Sequence, residues 1–140
     1  MGQIGIAYAT MTKHSQRLAE AIGQALHVEA VNVAVDPTPH AADLLFIVGG
    51  IYGGKSLTEL LQYVEKLEGS QVKKAVLVTS SVSTSLRKQA DIRGLLEGKG
   101  IEVLKEITCP GNFLFMKLGH PNAGDLKAVA DCAKQIAEKI

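Results

Sequence analysis

The feature that most constrains this chain is an alternation, kept up from end to end, between short apolar runs and segments whose apolar residues recur at helical spacing. That pattern is the mark of strands laid parallel and joined by crossover helices. The first run, Gln3 to Ala9, is apolar on both faces through Ile4, Ile6, Ala7 and Tyr8, as a parallel strand covered on both sides requires. After a loop at Thr10 to His14, Leu18, Ile22, Ala25 and Leu26 predict a helix in which Gly23 is a mild weakness. Ala30 to Val35 predicts a second strand ending at Asp36-Pro37-Thr38-Pro39, where the prolines forbid regular continuation.

Leu44 to Gly49 predicts a third strand, the most buried, stopping in the glycine cluster Gly49, Gly50, Gly53 and Gly54. Ser56-x-x-Glu59 then reads as a capping box that opens a helix striped by Leu57, Leu60, Leu61, Val64 and Leu67. A fourth strand is expected at Ala75 to Thr79, followed by the serine-rich loop Ser80 to Ser85 and a helix ending near Gly98 and Gly100. A fifth is expected at Ile101 to Thr108. The long connection Cys109 to Pro121 then leads to Asn122 and Asp125, which cap a last helix striped by Leu126, Val129, Ala133, Ile136 and Ile140.

At 140 residues this is one domain, 1–140, and a chain of that size hides roughly 70% of its unfolded surface without help from a disulfide or structural metal. Cys109 and Cys132 lack C-x-x-C pairing and read as reduced structural thiols; His14, His27 and His40 lack the spacing of a metal site. Fifteen Lys and Arg against 14 acids leave no electrostatic footprint for nucleic acid. The longest apolar runs, such as Ala41 to Gly50, are far too short for a membrane span, and Met1 runs into the first strand with no secretory leader. A soluble cytoplasmic protein is the expectation.

Right-handed crossovers leave few arrangements for five such strands, and the α/β order 2-1-3-4-5 fits best. In that order the loops after strands one, three and four meet where the strand order reverses: Thr10 to Ser15, Gly49 to Lys55 and Ser80 to Ser85. In the first, Thr10, Thr12 and Ser15 offer hydroxyls before a helix N-terminus, with Lys13 and His14 beside them, a setting that stabilises phosphate. The second, G-G-I-Y-G-G-K-S, lets backbone approach a flat ring while Tyr52 supplies a stacking face. It also matches the G-x-x-x-x-G-K-[ST] phosphate loop of nucleotide triphosphatases from Gly49 to Ser56. Such an enzyme further needs a magnesium-holding acid at a neighbouring strand end, and the strands that follow end at Thr79 and Thr108. The third loop, S-S-V-S-T-S, suits the polar edge of a ring. A phosphate-accepting receiver domain needs acids after strands one and three and a Lys after strand five; Thr10, Gly50 and Cys109 stand there instead.

Tyr8-Ala9-Thr10-Met11-Thr12-Lys13-His14-Ser15, followed by the Leu18/Ala19 helix, resembles the FMN phosphate loop of flavodoxins, commonly T/S-x-T-G-x-T after a strand. The resemblance covers essentially the whole chain and implies a flavodoxin-like three-layer sandwich with a five-stranded parallel sheet. It implies FMN as cofactor, the phosphate held by Thr10, Met11, Thr12, Lys13, His14 and Ser15. The ring would then lie between Gly50, Ile51, Tyr52, Gly53 and Gly54 on one side and Ser80, Ser81, Val82 and Ser83 on the other. It implies an electron carrier whose partners are a reductase and an acceptor protein. The chain departs from the pattern in having Lys13 where the family usually has glycine, no Trp, and a near-neutral charge where electron-carrying flavodoxins are acidic. Cys109 to Asn122 is similar to a stretch in short flavodoxin-like proteins that accompany bilirubin reductase, and would place Phe113, Phe115, Lys117 and His120 at the flavin rim or a docking site. Two other readings stand beside the carrier. One is a flavin enzyme on the same fold, since G-x-Y-G-G-K also resembles flavodoxin-like protoporphyrinogen oxidases; the other is an interaction module without flavin.

Overall fold

The computed structural model describes residues 3–9, 14–36, 38, 41–52, 55–56, 58–81, 90–110 and 123–138. The strands are β1 (Ile4–Tyr8), β2 (Ala30–Asn32), β3 (Ala42–Tyr52), β4 (Lys55–Ser56), β5 (Val72–Ser81) and β6 (Glu102–Pro110). The helices are α1 (His14–Leu26), α2 (Thr58–Lys66), α3 (Ala90–Gly98) and α4 (Ala123–Glu138). Five strands pair in parallel in the order β2-β1-β3-β5-β6, which is the expected 2-1-3-4-5 once the short β4 is set aside. β4 is an addition to that expectation, pairing antiparallel with the end of β3.

Strand alternation sends residues to opposite faces of the sheet, and each face is covered. Ile6, Tyr8, Leu44, Phe46, Val48, Val76 and Val78 form one core with Leu18, Ala19 and Ile22 of α1 and Val129, Ala133 and Ala137 of α4. Ala7, Leu45, Ile47, Ala75 and Leu77 form the other with Leu60, Tyr63 and Val64 of α2 and Ile92 and Leu96 of α3. Helix, sheet and helix make the three layers. Among the described residues Phe46 is the largest side chain wholly out of water, and it sits in the middle strand, where both neighbours exclude solvent.

Several boundaries differ from the sequence-based ones. The second strand stops at Asn32, not Val35, because Asn32 builds a turn: its Oδ1 accepts the Ala34 N–H (3.0 Å) and its carbonyl accepts those of Val35 and Asp36. The third strand runs through Gly49 and Gly50 to Tyr52, since β5 goes on offering backbone partners as far as Ser81. Ser56 belongs to β4 and α2 starts at Thr58, so Ser56 is strand where a helix cap was expected. Ser80, Ser81, Cys109 and Pro110 are likewise strand, paired Ser80 to Cys109 and Ser81 to Pro110. Asp125 lies inside α4, and Asn122 and Ile140 fall outside the described residues.

The helix ends show why particular residues stand there. α3 closes as expected: Ile101 N–H donates to the Leu96 carbonyl and Gly100 N–H to that of Glu97, with Gly100 at φ +79°. α1 closes in the same way, Val28 N–H donating to the Gly23 carbonyl at 3.0 Å, but the left-handed position is His27 at φ 58°. Gly23 is therefore a requirement of the fold. A Cβ there would lie 2.5 Å from the Val28 carbonyl oxygen. By helix propensity alone Gly23→Ala would stabilise by about 1 kcal/mol. The close approach reverses the sign, and urea denaturation should show the variant less stable by more than about 1 kcal/mol; a raised midpoint would contradict this packing.

Candidate functional site

The carboxyl end of the sheet is stepped. Among the described residues, β1 keeps register with β3 as far as the pair Tyr8 and Val48, and Ala9 N–H makes the last bond across, to the Val48 carbonyl at 3.2 Å. β5 holds its other edge through Gly49 with Thr79, Gly50 with Ser80 and Ile51 with Ser81. β4 pairs with Ile51 and Tyr52, so it takes the edge that β1 has left. Among the described residues, Gly49 and Gly50 of β3 pair with neither β1 nor β4. They span about 7 Å at a rise of about 3.3 Å per residue.

This notch lies between β1 and β3, where the strand order reverses and ligands of open α/β sheets bind. Neither glycine has a side chain to fill it, so backbone can approach a flat group closely. α1 follows β1 and starts at His14, which brings its amino end, with the positive end of the helix dipole, to the carboxyl end of the sheet. Thr79, the register partner of Gly49, is wholly buried.

No protein-family model matches the sequence, and no curated protein does. Solved structures do. A flavodoxin, WrbA-like protein from Agrobacterium tumefaciens superposes with a TM-score of 0.70 at 16% identity, over 99% of this chain and 96% of that one. A flavodoxin from the domain Archaea gives 0.65 at 16% identity, over 97% of both chains. An NAD(P)H:quinone oxidoreductase from Methanothermobacter marburgensis gives 0.63 at 13%, over 96% of both. The chain has the flavodoxin-like fold.

On that fold the sequence-based site residues fall as follows. His14 and Ser15 open α1; Gly50, Ile51 and Tyr52 end β3; Ser80 and Ser81 end β5. The helix start and the strand ends lie at the carboxyl end of the sheet. Thr10, Met11, Thr12, Lys13, Gly53, Gly54, Val82 and Ser83 lie outside the described residues, as do Phe113, Phe115, Lys117 and His120. The correction concerns Gly50 to Tyr52, expected in a loop and found in strand. It also removes the triphosphatase geometry: a phosphate loop wraps its anion between strand and helix, whereas here Gly49 and Gly50 pair with β5 and Lys55 and Ser56 pair back onto Tyr52 and Ile51.

Sequence reasoning missed what holds the end of β1. Tyr8 is buried, and Asn32 is its register partner on β2. Burial first, then the nearby Glu20 carboxylate, push its pKa up from the ordinary 10.0, with the Asn32 side chain pulling partly the other way. The signal lay in two polar groups ending adjacent strands, but it needed the register to be read. Among the described residues no group of three or more His, Cys, Asp or Glu is placed to hold a metal ion, and no helix is long and apolar enough to cross a membrane. Cys132 is a free, half-buried thiol in α4.

Because folding favours the neutral phenol, the stability Tyr8 contributes is complete below the ordinary value and is lost as pH rises past about 10 toward the higher folded value. Tyr8→Phe should make the loss of stability from about pH 9 to about pH 11 shallower than in the unmodified chain. Chemical denaturation at each pH measures it, and an equal or steeper loss would contradict the assignment.

Proposed function

We propose that this chain binds FMN at the notch and carries electrons between a reductase and an acceptor protein. The observation that carries the reading is the two-glycine gap in β3 lying next to the amino end of α1. A flat ring system bearing a phosphate asks for those two features together. In this reading the amides and hydroxyls of Thr10 to Ser15 hold the phosphate and Lys13 adds a cation. Gly50 to Gly54, with Tyr52, and Ser80 to Ser83 flank the ring. The flavodoxins among the similar structures support it.

Bound there, the flavin supplies the redox chemistry, while the chain binds it, orients it and limits its contact with water. The apolar core ends just below the notch: Val48 and Val78, both wholly buried, precede Gly49 and Thr79. The inner side of a bound ring would rest near a dry floor. The segment 111–122 starts from the carboxyl end of β6 and returns to α4, and in this reading it helps form the rim where a partner docks.

The similarity to a quinone oxidoreductase supports a second reading, a flavin enzyme that takes electrons from a nicotinamide and passes them to a small acceptor. One experiment separates the two. FMN fluorescence should be quenched on titration with the protein, and the complex should be bleached by NADPH only when a flavoprotein reductase is added. Rapid bleaching by NADPH or NADH alone would favour the enzyme. No retention of FMN would refute both.

A further inference from the structure

We propose that the amino end of the sheet holds a second ligand site, one for a small ring compound that is neutral or positively charged. It is independent of the FMN reading, which concerns the carboxyl end. The site originates in the crossovers. On the face covered by α2 and α3, α2 joins β3 to β5 and α3 joins β5 to β6. α1, which joins β1 to β2, packs on the opposite face. The chain passes from β2 to β3 through residues 33–41, and none of the described residues there is helical. Among the described residues, the β1 and β2 pair therefore has no crossover helix of its own on the α2 and α3 face.

The effect is visible along β2. Val33 is buried in the cluster with Ala7 and Tyr63, whereas Val31, two residues earlier on the same face, is only half-buried. Val31 lines a pocket of about 220 Å³ together with Gly5, Ala42, Leu45 and Tyr63. Ala42, Leu45 and Tyr63 are buried, so these apolar walls are set by the core itself. Gly5 keeps the space open, since a Cβ there would lie 3.2 Å from Leu45 Cδ1 and 3.5 Å from Ala42 Cβ. An apolar cavity of about 150 Å³ holds benzene, so this one has room for a single ring or two fused rings. A helix, about 10 Å across, is too wide for it, which makes the occupant a small molecule. Burying an apolar ring against these walls removes both surfaces from water. Among the described residues one charged residue lines the pocket, the exposed Glu29. Its negative charge favours an ammonium group on the ligand and opposes a carboxylate.

The test uses three probes that share one bicyclic ring and differ in charge: naphthylmethylamine, naphthalenemethanol and naphthoate. Each is titrated into the full chain while amide chemical shifts are followed. Gly5, Val31, Ala42 and Leu45 should shift, and Gly49, Gly50, Ser80 and Ser81 should not. The amine and the alcohol should saturate with Kd at or below about 1 mM, and naphthoate should bind at least about threefold more weakly than the amine. Val31→Phe, which fills the pocket from its edge, should weaken the amine and the alcohol by more than about fivefold while a cooperative melt shows the chain folded. Glu29→Gln, a change at an exposed position, should bring the amine and naphthoate to within about twofold of each other. Absence of saturable shifts at these four residues, shifts centred elsewhere, or undiminished binding in a folded Val31→Phe would overturn the proposal. If Val31→Phe does not fold, Glu29→Gln decides, and an unchanged ratio between amine and naphthoate would overturn it.

Discussion

The proposed site depends on the hydrogen bond from Ala9 N–H to the Val48 carbonyl, which among the described residues is the last one between the end of β1 and β3. A parallel sheet satisfies its backbone only while neighbouring strands run on together. When one stops early, its neighbour's edge must be met by something else. Here β4 meets part of it at Ile51 and Tyr52, and among the described residues Gly49 and Gly50 pair with neither β1 nor β4. Unequal strand length, more than any single side chain, makes the notch.

The rest of the molecule keeps that step in place. Residues from both faces of β1, β3 and β5 are buried under helices, so the strands cannot slip in register without turning apolar side chains outward. α1 is locked at its far end by the approach of Val28 to Gly23 and at its near end by the cluster that includes Tyr8. A left-handed His27, where glycine would be easier, shows how strongly that end is held by its surroundings. The amino end of α1 is therefore a fixed point relative to the end of β1, which a phosphate site built from backbone amides demands.

The strand centres were legible in the sequence because strands buried on both faces read as unbroken apolar runs, and the order followed from the handedness of crossovers. The strand ends were not. Gly49 to Tyr52, Ser80 to Ser81 and Cys109 to Pro110 look like loop by composition, yet they pair because backbone bonding does not depend on side-chain polarity once a neighbour is present. Asn32 shortened β2 by a side-chain bond that competes with strand continuation. Gly23 looked like a defect because its neighbour, the Val28 carbonyl, appears only when the helix end is built. Of the candidate site, the order of the strands that carry it was legible; the hairpin inside the glycine run and the pairing of Tyr8 with Asn32 needed register, which no local pattern gives.

The chemistry proposed for this edge follows from what the chain can and cannot supply. In the proposed reading the chain binds and orients the flavin, and the flavin supplies the redox chemistry. The claim that the stepped carboxyl end is the flavin site is tested most directly by amide chemical shifts recorded while FMN is added. Ala9, Gly49, Gly50, Ile51, Ser80 and Ser81 should shift, while Gly5, Gly69 and Gly100 at the opposite end of the sheet stay put. Shifts gathered at that opposite end, or none at all with FMN in excess, would contradict the account.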